Sequence, residues 1–593
     1  MRYSAPVNDT LFFLEHCTSL RRLSDEGMVP DLSPDLVKSV LEEAGKFASE
    51  RIAPLNRIGD IEGAKFENGV VRTPKGWKET YQAWCAAGWQ GLGAPPEYGG
   101  QGLPNIVNMA CAEFWTAASM AWALGPLLTT AAIEAMHAHA SEALKKKYFA
   151  RLVSGEWTGT MQLTEPQAGS DVGALTTRAV RQPDGSYRLK GQKIFITYGE
   201  HDMTDNIVHF VLARLPDAPA GTRGISLFLV PKFMVKDDGS LGQRNDLRAA
   251  SVEHKLGIHA SPTCVMVYGD HDGAVGYLVG EENKGLHCMF TMMNNARLGV
   301  GVQGVAIAER AMQQALDYAR ERKQGQGADG RQTAIINHPD VKRMLLTMRA
   351  LTSASRAISL KCADALDRAK LLKDVGERKA AFEEGNLLTP IAKAFSTDAG
   401  IEVASLGVQI HGGMGFIEET GAAQHYRDAR ISAIYEGTNG IQSIDLVTRK
   451  ITQSGGETLK KMLAGFHATS AAVKASKENF GEAAARLDEG LEALEKTSRH
   501  LLETLGRKPD DALAGATPYL RLFGLVAGAS YLAEAALAAA KARANGDSDP
   551  AHLARIEIAR FFAENLLPAA TGLVPVVMTS AQSVLNSEMA LAG

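Results

Sequence analysis

Cysteine is scarce, and its placement excludes two chemistries. The six residues, Cys17, Cys85, Cys111, Cys264, Cys288 and Cys362, show no paired spacing. A disulfide scaffold or a zinc site requires such spacing, so reduced, mostly buried thiols are expected, and no metal. Long apolar runs are also missing. The most apolar C-terminal stretch, Leu522 to Leu532, is bounded by Arg521 and Glu534. It reaches only about half the ~20 residues of a membrane span, which predicts a buried helix and no transmembrane segment. Charge of one sign is not in excess, with 63 Lys and Arg against 67 Asp and Glu. That balance offers nothing to nucleic acid or to an anionic membrane. The first residues, through Asp9, lack the apolar core of a signal peptide, so the expected location is cytoplasmic. The Gly-rich fingerprint of dinucleotide-binding β-α-β folds is absent too.

What is present indicates several domains. A chain of 593 residues exceeds what one core usually supports, and its 45% hydrophobic and 22% charged content is that of a folded globular protein. After an extension over 1–32, Ser33-Pro34 reads as a helix start, and Leu36, Val37, Val40, Leu41, Ala44, Phe47, Ala48 and Ile52 follow at helical spacing. Residues 33–156 read as a helical domain, broken by the Gly/Pro-rich loop Gly93 to Gly102.

Over 157–282 the texture changes to short β-type runs. These are Tyr187 to Leu189, Lys193 to Thr197, Ile207 to Leu215, Ile225 to Val230, Cys264 to Tyr268 and Ala274 to Val279, with turn signals at Asp184-Gly185 and Lys190-Gly191. That pattern predicts an antiparallel β domain. Helical periodicity returns over 283–450, with breaks near Gly325 to Gly330, Gly376 and Gly412 to Gly415, which predicts a four-helix bundle. Beyond Ser454-Gly455-Gly456, an alanine-rich segment over 457–593 carries Leu491, Leu494, Leu501, Leu502 and Leu505 on helical repeats and predicts a further helical domain covering the bundle. The fold class is therefore α+β, multidomain.

Four segments carry the chemistry. They are Met161-Gln-Leu-Thr-Glu-Pro-Gln-Ala-Gly-Ser-Asp-Val-Gly173; Gly191-Gln-Lys-Ile-Phe-Ile-Thr197; Met292-Met-Asn-Asn-Ala-Arg-Leu-Gly299 with Arg320-Glu-Arg-Lys-Gln-Gly325; and Val408-Gln-Ile-His-Gly-Gly-Met-Gly-Phe416 with Tyr426 to Gln442. Taken singly, each has a plain structural reading as a polar turn, a strand, a helix surface or a solvated loop. Together and in this order they closely resemble the acyl-CoA dehydrogenase family over roughly residues 35–450.

The resemblance implies FAD as cofactor and an acyl-CoA thioester as substrate. It implies flavin contacts by Met161, Leu163, Thr164, Ser170, Phe195, Thr197 and Thr438, with Thr197 beside flavin N5. Arg322 and Gln324 are expected at the cofactor pyrophosphate, where a planar guanidinium can grip two oxygens. Gln409, Gly412 and Gly413 are expected on the ADP part of a neighbouring subunit's flavin, which implies a homo-oligomer of at least two chains. Ser170, Arg297 and Gly437 are implied at the substrate, and Glu436 as the base that removes the α proton while the β hydride passes to the flavin, giving a trans-2-enoyl-CoA. Electron-transfer flavoprotein is the implied electron acceptor. His259 reads as a scaffold residue of the β domain.

Two departures from the family pattern matter. Gly440 stands where the common sequence has Glu, and Ala296 occupies the place where some relatives carry their base, which leaves Glu436 as the sole candidate. The start Tyr3 to Asp9, the segment Glu418 to Tyr426 and the C-terminal domain resemble a bacterial subgroup that includes 3-methylthiopropanoyl-CoA dehydrogenases; a medium- or long-chain acyl-CoA is the competing substrate. Two other readings stay open: a nucleic-acid-binding protective relative, whose mark would be a basic C-terminal domain, and an acyl-CoA oxidase. Acids slightly outnumber bases after Gly455, which disfavours the first.

Overall fold

The computed structural model describes residues 3–29, 32–327 and 329–592. Short helix α1 (Val7–Cys17) precedes α2 (Pro34–Phe47), where the Ser33 hydroxyl accepts from Leu36 N at 3.1 Å and proline opens the helix. This is the cap that the Ser-Pro pair predicts. Two apolar helices, α3 (Asn105–Ala118) and α4 (Met120–His139), complete the N-terminal helical layer and are buried along most of their length.

The β region holds eight strands in one sheet: β1 (Trp157–Gln162), β2 (Arg178–Arg181), β3 (Tyr187–Thr197), β4 (Asn206–Arg214), β5 (Ile225–Pro231), β6 (Leu247–Val252), β7 (Thr263–Tyr268) and β8 (Ala274–Val279). The order is β6-β7-β3-β8-β5-β4-β1, with β2 against β3 and β4. The sheet is antiparallel in the main, as expected, but β1 runs parallel to β4, with Trp157 opposite Asn206. Alternating residues of β4 divide between two cores: Phe210 and Leu212 join Ala132, Met136 and Met292 of the flanking helices, while Val211 and Ala213 join Leu189, Phe228 and Val230. Both faces are covered, so the strand reads as a continuous apolar run. Lys190-Gly191 is not a turn. β3 runs straight through it because Gly191 passes over Thr177, where a Cβ would lie 2.5 Å from the threonine hydroxyl.

Three long helices follow, α5 (Gly285–Glu321), α6 (Pro339–Leu371) and α7 (Val375–His411), and the shorter α8 (Ala422–Ala429) and α9 (Asn439–Asp445) close the fourth side. Gly301 and Gly304 let α5 and α7 touch backbone to backbone; a Cβ at Gly304 would stand 2.3 Å from Ser396 O. Helices α5 and α7 end at the predicted glycine clusters, while the break near Gly376 falls at 372–374, with Gly376 itself in the first turn of α7.

The C-terminal region is helical throughout: α10 (Glu457–Ala475), α11 (Ala483–Leu505), α12 (Ala516–Ala544), α13 (Pro550–Asn565) and α14 (Ala569–Thr579). Helix α12 is long and apolar enough to cross a membrane, but 83% of its most apolar window is buried in the protein. It lies on the bundle: Gly524 faces Phe395, Arg521 stacks over the same ring and pairs with Glu402 at 2.9 Å, and Lys361 pairs with Glu534 at 2.8 Å.

A buried ion triad joins the N-terminal layer to the bundle. Arg356 of α6 donates from Nη2 to Glu113 of α3 at 2.6 Å and to Glu309 of α5 at 2.7 Å, and all three side chains are buried.

Candidate active site

The loop after β1 carries Thr164 and Ser170, and its shape is set by a salt bridge that the sequence does not advertise. Glu165 is buried at 2% exposure and accepts from Lys193 Nζ at 2.8 Å, Thr176 N at 2.7 Å and Thr177 N at 3.1 Å. Lys193, fully buried, donates also to Leu163 O at 3.1 Å. Burial pushes the Glu165 carboxyl up, but Lys193 and the surrounding hydrogen bonds outweigh it and hold the group down at about 2.

Opposite that loop, β3 bulges. Its pairing with β7 jumps from Ile196–Cys264 to Lys193–Met266, so two residues of β3 face one of β7. The bulge has two effects. It turns Ile194 N out of the ladder to donate to Thr164 O at 2.9 Å, and it places Phe195 at φ +60° with its ring 59% exposed. A bulky residue held left-handed with its ring in the open is costly, and such strain marks functional positions. The hydroxyls of Thr164 and Thr197 make no hydrogen bond among the described residues. An open aromatic face flanked by two unspent hydroxyls fits the edge of a flat heteroaromatic ring such as a flavin. Met161 and Leu163 lie under this loop in the core shared with α4 and α5, and Ser170 is exposed at its tip.

Glu436 sits on the loop between α8 and α9. Its backbone is left-handed, φ +56°, followed by Gly437 at φ +81°, and Gln442 Nε2 holds both carbonyls, at 3.1 Å and 3.5 Å. Thr438 caps α9, its hydroxyl accepting from Ile441 N at 3.2 Å. The Tyr435 hydroxyl donates to Gln303 on α5. Burial pushes the Glu436 carboxyl up to about 7, while the nearby cations Arg297 and Lys393 pull the other way. A carboxylate poised there can exchange a proton near neutral pH. Arg297 is itself buried at 7% exposure, with Asp445 at 3.7 Å and its Nε without a hydrogen bond. It faces Glu436 and Asp445.

The remaining predicted residues lie elsewhere. Arg322 and Gln324 follow the C-terminal end of α5, and Gln409, Gly412 and Gly413 lie at the C-terminal end of α7, all exposed. These two ends meet, since Tyr318 stacks on His411 with centroids 4.4 Å apart. Twenty-five residues of helix separate Arg297 from Arg322, roughly 37 Å at the α-helical rise. One chain therefore gathers the candidate site residues into two well-separated groups, one beside the middle of the bundle and one at its end. His259 is a scaffold contact, its Nδ1 2.9 Å from Asp60 O.

Sequence reasoning missed the indole-walled cavity between α3, α4 and α5. It has a volume of about 30 Å³ and is lined in part by Trp84, Trp89, Trp115, Trp122, Leu127 and Gly299. The four indole N–H groups are buried without an acceptor. Tryptophans 115 and 122 stand seven apart on adjoining helices, a spacing that carries no signal until the helices pack.

Comparison with known proteins defines the class. Family models described as the N-terminal, middle and C-terminal domains of acyl-CoA dehydrogenase match residues 35–156, 160–271 and 283–451, and one described as acetyl-CoA dehydrogenase C-terminal like matches 458–588. The chain is 47% identical to a 3-methylmercaptopropionyl-CoA dehydrogenase of Ruegeria pomeroyi over 99% of its own length and 100% of the relative's. Two solved structures share the fold at 21% identity: Caenorhabditis elegans ACDH-11 in complex with C11-CoA, with TM-score 0.77 over 100% of this chain and 95% of that one, and a Bacillus anthracis acyl-CoA dehydrogenase complexed with FAD, with TM-score 0.75 over 94% and 91%. The chain belongs to the acyl-CoA dehydrogenase family.

Proposed function

We propose that the protein is an FAD-dependent dehydrogenase of short acyl-CoA thioesters, acting on 3-methylthiopropanoyl-CoA, with Glu436 as the base. The observation that carries this reading is the Glu436 loop: a half-buried carboxylate on a strained backbone, under the field of two buried cations, Arg297 and Lys393. Thr164, Thr197, Phe195 and Thr438 would hold the flavin ring. Arg322, Gln324, Gln409, Gly412 and Gly413 would reach the ADP part of a second subunit's FAD, and their separation from the ring-binding group supports a homodimer with shared sites. When bound, FAD supplies a two-electron acceptor for the β hydride.

The chain's own residues do the rest. Glu436 takes the proton from the α carbon, a weak acid that the thioester activates, and the gripped loop holds the carboxylate in one place against that carbon. Closure of the site by an acyl chain removes water from the carboxylate and strengthens it as a base. The tryptophan-lined cavity takes the acyl end. A thioether suits it, since sulfur packs favourably on aromatic edges. Electron-transfer flavoprotein is the proposed acceptor; an oxidase would instead release peroxide in air.

Anaerobic mixing of the yellow protein with 3-methylthiopropanoyl-, butanoyl-, octanoyl- and palmitoyl-CoA tests the assignment. Bleaching of the flavin by the short thioesters, fastest with the thioether, is expected; no bleaching by any of them would refute it. The pH profile is a second test. Because Glu436 must be ionised to act and burial raises it to about 7, kcat/KM should be lost as pH falls through about 7 and stay level above. An acid limb near the ordinary carboxylate range, about 4 to 5, would contradict the buried-base geometry.

A further inference from the structure

Lys393 lies in the middle of α7 with no exposed surface. Burying an ammonium costs several kcal/mol unless a carboxylate or a full set of acceptors compensates it. No carboxylate oxygen lies within 4 Å of Lys393 among the described residues. Its Nζ donates instead to the neutral Asn439 Oδ1 at 2.8 Å. Asn439 stands three residues after Glu436 and opens α9. Its own amide donates to Asp398 Oδ1 at 2.7 Å, Thr397 Oγ1 at 3.0 Å and Ala394 O at 3.3 Å. One side chain of the base loop is thus gripped by a full turn of α7, and the grip includes a buried cation whose charge no direct ion pair neutralises.

Burial lowers Lys393 to about 7, against the pull of Glu436 and Asp398 and with Arg297 as a like charge, so Lys393 is an ammonium on the acid side of neutral, where Glu436 gains and loses its proton. The charged groups facing Glu436 are Arg297 from α5 and Lys393 from α7. Arg297 already has Asp445 at 3.7 Å, with Arg449 and Lys450 around the same carboxylate. Lys393 has no ion pair at its tip, and its field falls on Glu436 and on Asp398, which Asn439 already engages. A lysine serving packing alone would pair at its tip, as Lys193 does with Glu165.

On the reading of Glu436 as the base, we propose that Lys393 is a positioning residue for it: held by Asn439, its ammonium stabilises the negative form of Glu436 before substrate arrives and ties the base loop to α7. The opposed influences at Glu436 agree, since removing one cation leaves burial less opposed.

The test uses the full-length holoenzyme and the pH dependence of kcat/KM for 3-methylthiopropanoyl-CoA. Lys393→Met removes charge and hydrogen bond; Lys393→Gln removes the charge and keeps a donor for Asn439, which also guards against a Met variant that fails to fold. Both should move the acid limb up by roughly one pH unit, with the rate recovering on the alkaline side, and Lys393→Arg should leave the limb in place. A limb unmoved in the neutral variants, with rates lowered evenly at every pH, would show a structural role only and overturn the proposal. The underlying reading is checked separately. If Glu436→Gln leaves the wild-type limb and rate intact, the base assignment fails; if Glu436→Gln abolishes turnover while the lysine variants keep the wild-type limb, only the Lys393 inference fails.

Discussion

Glutamine at position 436 is expected to lower kcat roughly 10³- to 10⁴-fold, the upper part of the roughly 10²- to 10⁴-fold range a positioned general base supplies, while leaving binding of the thioester within a few-fold. The loss corresponds to about 4 to 5.5 kcal/mol of transition-state stabilisation. Glutamine preserves the volume and the backbone hydrogen bonds from Gln442, which reach the carbonyls and not the side chain, so the left-handed loop is kept. No other carboxylate stands ready to replace Glu436, since Ala296 occupies the alternative position and Asp445 is engaged by Arg297, Arg449 and Lys450. Single-turnover kinetics with tight-binding controls would measure this. A loss of tenfold or less would mean that proton removal is done elsewhere.

Breaking the Arg356 triad should have the largest effect on stability. Arg356→Met leaves Glu113 and Glu309 buried without their shared counter-ion, and stripping one partner from a buried pair costs about 3–5 kcal/mol. The expected result is a sharply lower thermal midpoint, with the N-terminal helical layer loosening from the bundle first, because the triad spans α3, α5 and α6. The triple variant Glu113→Gln, Glu309→Gln, Arg356→Met should recover most of the loss, since no charge then remains buried. Scanning calorimetry of the single and triple variants decides the matter. If the single variant unfolds at the wild-type temperature, the triad does not hold the layers together.

Much of the architecture is legible because it is local. Ser33 before Pro34 starts a helix by its own hydroxyl, and glycine clusters follow the ends of α5 and α7 because their backbones leave the helical region at no steric cost. Strands β4, β5 and β8 show as apolar runs. The failures share one cause. All six residues of β1 are buried, so no alternation marks it as a strand, and Gly191 looks like a turn until Thr177 is found beneath it. In each case the deciding partner is distant in the chain.

The site divides in the same way. The proposed base loop, the threonines proposed at the flavin and the arginine proposed at the phosphates are carried by short contiguous segments, legible in a sequence because that pattern depends on residue types a few positions apart. Three things wait for the folded chain. One is the Glu165–Lys193 bridge that shapes the flavin loop, from residues 28 apart. Another is the tryptophan-lined cavity, which exists only once α3, α4 and α5 pack. The third is the Lys393–Asn439 grip on the base, 46 residues apart. Burial is what gives each its meaning: a lysine or a glutamate is a solvated charge in a sequence, and becomes a tuned acid, base or anchor only when tertiary packing removes the water around it.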